Sequence, residues 1–138
     1  MTHLTRRNLL IGAAALAATP ALAAKGFVDY RPGLIDELLS NGQVVFVDYA
    51  ADWCSTCARQ ERVIQALLAD NPAYAQAMTF VRVDWDAYRS DPVTTARQIP
   101  RRSTLLVLKG NQELGRLVAA TSQSDIKALL DRGLAAAA

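Results

Sequence analysis

The chain has 138 residues, of which 51% are hydrophobic, and a formal net charge of +2, values that fit one globular domain. The positive excess comes from Arg6 and Arg7, since the residues after position 23 carry equal numbers of basic and acidic side chains. A domain with balanced charge gives no reason to expect nucleic-acid binding. The only histidine is His3, so the sequence beyond it excludes Ser-His-Asp and Cys-His catalysis.

Residues 1–23 have the pattern of an export signal. Arg6 and Arg7 precede a short apolar run at 9–18, and residues 21–23 read Ala-Leu-Ala, which is typical of a cleavage site. A helix needs about 20 residues to span a bilayer, and the apolar run is shorter. An uncleaved membrane anchor is the alternative, and the protein would be attached to a membrane only in that case. The arginine pair also resembles a twin-arginine signal. Export by the twin-arginine route and export by the general secretory route both predict a periplasmic location, where disulfides are permitted.

Helical and strand patterns alternate through the rest of the chain, and the order begins with a helix whose first turn carries Pro32. Helices are predicted at 32–39, 54–69, from 91 to about 98, and from 124 onward; strands are predicted at 44–49, 79–84, 104–108 and 113–119, the last two as a hairpin. This order predicts a three-layer α/β/α domain with a central mixed sheet over 24–134. The alanine run at 135–138 is expected to be a disordered tail.

The only two cysteines, Cys54 and Cys57, lie between a predicted strand and a predicted helix. At a helix start the free backbone N–H groups and the helix dipole stabilise a thiolate, so we expect Cys54 to be reactive and Cys57 to lie one turn later on the same face. A structural zinc site would need four Cys or His ligands, and the chain has only Cys54, Cys57 and His3. Attachment of c-type haem would need histidine at position 58, which is Ala58. The sequence therefore favours neither site. A purely structural disulfide is the remaining alternative, and it would close a loop of only about four residues.

The mature sequence resembles the thioredoxin-like family over nearly its whole length. The resemblance rests on residues 45–54 with Cys57, on the strand at 81–86, and on residues 104–110. Within the family, the sequence at 51–54 looks most like the periplasmic reductase module of transmembrane thiol-disulfide interchange proteins. The resemblance implies that Cys54 is the attacking nucleophile, Cys57 the resolving thiol, and Trp53 an apolar wall beside the disulfide.

Asp48 interrupts an otherwise apolar strand. It matches the buried acid that accepts the proton of the resolving cysteine in thioredoxins, and burial would raise its pKa. The alternative is a strand-end carboxylate that points to water. Arg82 stands where the family commonly carries a lysine beside this acid, and its permanent charge would hold Asp48 ionised; simple surface exposure of Arg82 is the alternative.

Ser103 occupies the position of the family's cis-proline. Pro100 would match that proline only with a gap, and without proline we expect a trans peptide. Because serine is less bulky, we expect the loop to retreat from the dithiol and to open space for a soft metal. Arg101 and Arg102 are candidates for guiding an acidic partner or for supporting the Cys54 thiolate, and a solvated arginine pair is the alternative.

These observations predict a periplasmic thiol-disulfide oxidoreductase that needs no cofactor or resident metal and works as a reductase, with Cys54, Cys57 and Asp48 as catalytic residues. Its expected partners are protein thiols and disulfides and a membrane or periplasmic electron donor, and it is expected to be a monomer. One alternative is a copper-handling protein that binds Cu(I) through the two thiolates. Another is a non-catalytic binding module with the same fold.

Overall fold

The structure is a computed structural model that describes residues 26–138. The predicted export signal at 1–23 lies outside the described residues. The elements, in chain order, are β1 (Val28–Asp29), α1 (Leu34–Ser40), β2 (Val44–Ala50), α2 (Ser55–Asp70), α3 (Ala73–Ala77), β3 (Met78–Asp84), α4 (Trp85–Tyr88), α5 (Pro92–Thr95), β4 (Thr104–Lys109), β5 (Gln112–Val118) and α6 (Gln123–Ala137).

The five strands form one mixed sheet in the order β1-β3-β2-β4-β5. Strands β1, β2 and β3 run parallel, whereas β4 is antiparallel to both β2 and β5. All seven residues of β2 are buried, because this strand lies at the centre of the sheet and both of its faces are covered. The predicted three-layer fold with a mixed sheet is therefore confirmed.

Side chains of β2 alternate between two cores. Val44 and Phe46 pack with α2 and α6, and Val45 and Val47 pack on the opposite face with α1. Because successive strand residues point to opposite faces, Asp48 lies on the face that carries Phe46 and α2. This alternation places a carboxylate between the sheet and the helix that begins at the two cysteines.

The structure differs from the predicted elements mainly in short segments. The first helix begins at Leu34 rather than at position 32, because its N-cap, Gly33, has a positive φ of 84°. The helix predicted to reach about residue 98 ends at Thr95. Strand β1 and helices α3 and α4 are too short to give a clear periodic pattern.

At the carboxyl end of the chain, α6 continues to Ala137, so the expectation of a disordered tail over 135–138 is wrong. Alanine has the highest helix propensity, which favours extension of an existing helix. The side chain of Lys109 also donates a hydrogen bond to the carbonyl of Ala136. Within residues 26–138, no helix is long and apolar enough to cross a bilayer.

Candidate active site

Cys54 is the N-cap of α2, as the sequence predicted. Its Sγ accepts a hydrogen bond from the backbone N–H of Cys57 at 3.2 Å, and a disulfide joins the two residues. Each cysteine is 3% exposed. A backbone donor and a helix N-terminus at the same sulfur favour the thiolate of Cys54 once the disulfide is reduced. The assignment of Cys54 as the nucleophile stays a prediction.

Ser103 is fully buried against the disulfide. Its Oγ lies 3.2 Å from the Sγ of Cys54 and 3.1 Å from the Sγ of Cys57. The expectation that this loop retreats from the dithiol is therefore wrong, because the hydroxyl fills the space beside both sulfurs. The Arg102–Ser103 peptide is trans, as predicted, since the described part of the chain has no cis peptide bond. Pro100 is exposed, so Ser103 and not Pro100 takes the position opposite the dithiol.

Asp48 is 2% exposed, and its Oδ1 has no hydrogen-bond partner within residues 26–138. Burial raises the pKa of this carboxyl to about 7, against a smaller lowering by the Arg82 guanidinium, while Glu61 adds a further rise. The alternative of a carboxylate pointing to water is thus wrong. A group that is part ionised near neutral pH can both accept and return a proton, which is what a general base in the exchange reaction requires.

Arg82 lies beside Asp48 in the parallel register but forms its ion pair elsewhere. Its Nη2 is 2.9 Å from the Oδ1 of Asp52, whose side chain is 96% exposed. The expected direct pairing of Arg82 with Asp48 is therefore wrong, although the guanidinium still lowers the pKa of Asp48 through space. A surface pair of this kind contributes about 0–1 kcal/mol to stability.

Trp53 is 60% exposed and does not form the expected apolar wall. Its Nε1 donates a hydrogen bond to the Oδ2 of Asp86 at 2.9 Å, and the guanidinium of Arg102 lies 4.4 Å from the ring centre. Arg102 is thus held by an aromatic ring rather than fully solvated. These contacts place an aromatic and a cationic group together at the surface of the loop that precedes α2.

Trp85 supplies the apolar wall instead. It packs against the buried cluster formed by the two cysteines with Ala50 and Ala51. The sequence contains a signal for this placement, because Trp85 directly follows β3, whose last residue pairs with Ala50 at the carboxyl end of β2. Residues that follow neighbouring parallel strands meet at one edge of the sheet.

Gln60 is a second site residue that the sequence reasoning missed. Its Nε2 donates hydrogen bonds to the carbonyl oxygens of Ser103 at 3.0 Å and Ala120 at 2.9 Å. Gln60 shares the buried face of α2 with Ile64 and Leu67, at helical spacing. An amide at an apolar position of an amphipathic helix, one turn after Cys57, was the available signal.

Comparison with known proteins identifies the family to which this chain belongs. The sequence model of the family described as Thioredoxin matches residues 33–132. The chain belongs to the thioredoxin family. A thioredoxin from Porphyra purpurea is 26% identical over 98 residues, covering 70% of this chain and 85% of that protein.

Solved thioredoxin-like structures agree with the family assignment. The crystal structure of Trxlp from Edwardsiella tarda has a TM-score of 0.65 and 29% identity, and the match covers 74% of this chain and 96% of that one. A thioredoxin from Trypanosoma brucei brucei shares the fold with a TM-score of 0.65 at 17% identity, over 80% of this chain and 93% of that one. Thioredoxin-family membership together with the Cys54-x-x-Cys57 motif makes this protein a thiol-disulfide oxidoreductase that acts on protein thiols and disulfides.

Proposed function

We propose that this thioredoxin-family protein is exported to the periplasm and there reduces disulfides in protein partners, after which a membrane or periplasmic electron donor restores its dithiol. The observation that supports the proposal most directly is the environment of Asp48. This buried carboxyl has a pKa of about 7 and lies on the α2 face of the sheet, and one of its oxygens has no hydrogen-bond partner in the part of the chain that the structure describes.

The reaction uses the two cysteines in sequence. The Cys54 thiolate attacks a sulfur of the partner disulfide, which forms a mixed disulfide and releases one partner thiolate. Cys57 then gives its proton to ionised Asp48 and attacks the Sγ of Cys54. The Cys54–Cys57 disulfide forms, the second partner thiolate leaves, and two electrons have passed from this protein to the partner.

Asp48 has a defined task in the second step. Attack by Cys57 requires its thiolate, and a thiol in an apolar site holds its proton more firmly than in water. Cys57 is buried in the cluster with Trp85 and Ala51. In the proposed reaction, Asp48 acts as the base that lowers the barrier to its ionisation. We expect Asp48→Asn to keep the fold and to slow decay of the mixed disulfide at neutral pH, as measured by insulin reduction and by trapping of the intermediate. Unchanged turnover would leave Asp48 without a role in the reaction.

The direction of transfer is decided by the reduction potential. Equilibration of the mature protein with glutathione is expected to give a reduction potential similar to that of thioredoxin, which is about −270 mV. A reduction potential similar to that of strongly oxidising dithiols, which is about −120 mV, would show an oxidase instead. Cys57→Ser keeps the nucleophile and traps partners as mixed disulfides, and it therefore identifies the proteins that react with Cys54.

Export is supported by the basic residues, apolar run and Ala-Leu-Ala sequence within 1–23. Expression of the full chain in bacteria, followed by cell fractionation and N-terminal sequencing, is expected to give a periplasmic protein that begins at Ala24. Recovery from the cytoplasm with residues 1–23 attached would contradict the proposal. Arg6→Lys together with Arg7→Lys tests the route, because a twin-arginine signal depends on the pair and a general secretory signal needs only positive charge.

A further inference from the structure

Ser103 is held beside the disulfide in a backbone conformation that serine disfavours. Its φ is 63°, in the left-handed region that suits glycine. Its N–H donates to the carbonyl of Tyr49 at 2.7 Å, and its own carbonyl accepts from the N–H of Ala119 at 2.8 Å and from the Nε2 of Gln60 at 3.0 Å. Three hydrogen bonds from separate chain segments thus fix the residue whose hydroxyl meets both sulfurs.

Gln60 is an unusual residue for the place it occupies. It is fully buried, and its Oε1 has no hydrogen-bond partner among the described residues. A buried amide with one unsatisfied end costs stability, and an apolar side chain of similar size would avoid that cost. The two bonds that its Nε2 makes go to the backbone at Ser103 and Ala120. Holding the Ser103 loop is therefore the contribution of Gln60 that the structure reveals.

The hydroxyl of Ser103 can donate one hydrogen bond at a time. A disulfide sulfur carries no hydrogen, so in the oxidised protein the hydroxyl is the donor toward either cysteine. After reduction the Cys54 sulfur already receives the backbone N–H of Cys57, and a hydroxyl 3.2 Å away would give it a second donor. Two donors converging on one sulfur suit a thiolate, because hydrogen bonds to a charged group are stronger than those to a neutral one.

We propose that Ser103 is a further catalytic residue, which donates a hydrogen bond to the Cys54 thiolate of the reduced protein, and that Gln60 is the positioning residue that aims it. When a dithiol reduces the protein, the Cys54–Cys57 bond breaks and an S–S bond forms in the dithiol. Two electrons reach the cysteine pair, one proton goes to Cys57, the second proton goes to solvent, and Cys54 stays a thiolate. The proposal rests on this exchange chemistry and holds for either net direction.

Removal of the hydroxyl is the direct test. Ser103→Gly deletes the donor and is compatible with the positive φ, so this variant is expected to fold; Ser103→Ala deletes the same donor in the strained conformation. Loss of the bond is expected to lower the thiolate-to-thiol ratio of Cys54 about tenfold, which is one pKa unit. The equilibrium with glutathione should move toward the disulfide by up to tenfold, or about 30 mV. Alkylation rate against pH and glutathione titration measure the two quantities.

The positioning role is tested by Gln60→Met, which keeps side-chain volume and removes both hydrogen bonds. It should shift the Cys54 alkylation profile in the same direction as Ser103→Gly, by a smaller amount, and should add nothing in the Ser103→Gly background. Gln65→Met makes the same substitution at an exposed position of α2 and should leave the profile unchanged.

Two results would overturn the proposal. Ser103→Gly and Ser103→Ala variants that fold, by circular dichroism, and keep the parent's alkylation profile and potential would show that the hydroxyl has no part in the reaction. An effect of Gln60→Met that is equally large with and without Ser103 would show that Gln60 acts on the dithiol by another path. Neither result depends on which partner the protein reduces, so the proposed direction is tested separately by the potential of the parent.

Discussion

Asp48 and Arg82 are paired neighbours on β2 and β3, yet Arg82 directs its guanidinium to Asp52 at the surface. Asp48 is consequently left with a buried oxygen that no other described residue pairs with. A bound guanidinium would hold the carboxyl ionised and weaken it as a base. The diversion of Arg82 keeps the pKa of Asp48 near 7, where the residue can exchange protons during turnover.

Arg82→Met is expected to shift the pH profile of disulfide reduction to higher pH. The Arg82 charge lowers the pKa of Asp48, so its removal raises that pKa and reduces the ionised fraction at neutral pH. A rise of about one unit would reduce turnover at pH 7 roughly fivefold and leave turnover near pH 9 unchanged. Asp52→Asn is the control, because it breaks the ion pair but keeps the Arg82 charge. An identical acid limb in Arg82→Met and the parent would contradict this role.

Asp48 should also make folding stability depend on pH. Its pKa is about 7 in the folded protein and near 3.8 in the unfolded chain, so the folded state binds more protons between those values. The free energy of unfolding should therefore contain a contribution that falls by a few kcal/mol as pH rises from about 4 to about 7 and is level above that.

Urea unfolding of the parent and of Asp48→Asn at several pH values checks this expectation. The difference between the two proteins isolates Asp48 from Asp131, whose pKa is lowered mainly by its hydrogen bond from Tyr74 and whose contribution has the opposite sign. Parallel stability curves for the two proteins would show that Asp48 titrates in the same range in both states.

Cys54 is expected to react before Cys57 when the reduced protein is alkylated. Its sulfur receives the backbone N–H of Cys57 at the start of α2, so its thiolate should persist to about one unit or more below the free thiol pKa of about 8.5. Peptide mapping after limited alkylation identifies the residue, and the Cys54→Ser and Cys57→Ser variants report each thiol alone. First labelling at Cys57 would reverse the assigned order of attack.

The two tryptophans at the site should differ in their effects. Trp85→Ala removes the side chain packed against the disulfide cluster and is expected to cost about 2 kcal/mol of stability, because the ring is partly buried. Trp53→Ala removes an exposed ring with one hydrogen bond and one cation contact, and should cost less than about 1 kcal/mol. Urea unfolding compares them, and equal losses would mean that Trp53 and Trp85 support the site to the same extent.

The sequence predicted the elements that build the site better than the contacts within it. Strand β2 and helix α2 follow from long apolar patterns, and the Cys54 position follows from the boundary between them. Arg82 was assigned to Asp48 because the family commonly carries a lysine beside this acid, and a position on the neighbouring strand does not determine where a long flexible side chain ends. The family pattern assigned the apolar wall to Trp53 because it adjoins Cys54, whereas the sheet brings Trp85 there from another strand.

Ser103 shows the same limit in a different way. The expectation that the loop retreats rested only on the small size of serine. Two backbone–backbone hydrogen bonds and one from the Gln60 side chain fix the residue instead. Those bonds depend on Gln60, Tyr49 and Ala119, which come together only in the folded chain. Local sequence carries no record of such long-range partners.

The backbone hydrogen bonds around Ser103 allow opening of the loop beside the dithiol to be measured by hydrogen exchange. The amide protons of Ser103 and Ala119 are each held by one carbonyl beside the disulfide, on Tyr49 and on Ser103 itself. Their hydrogen-exchange rates report the free energy needed to detach this loop, independently of any redox readout. A partner protein that must displace the loop to reach Cys54 would speed exchange at both amides, whereas a partner that docks on the closed loop would slow it.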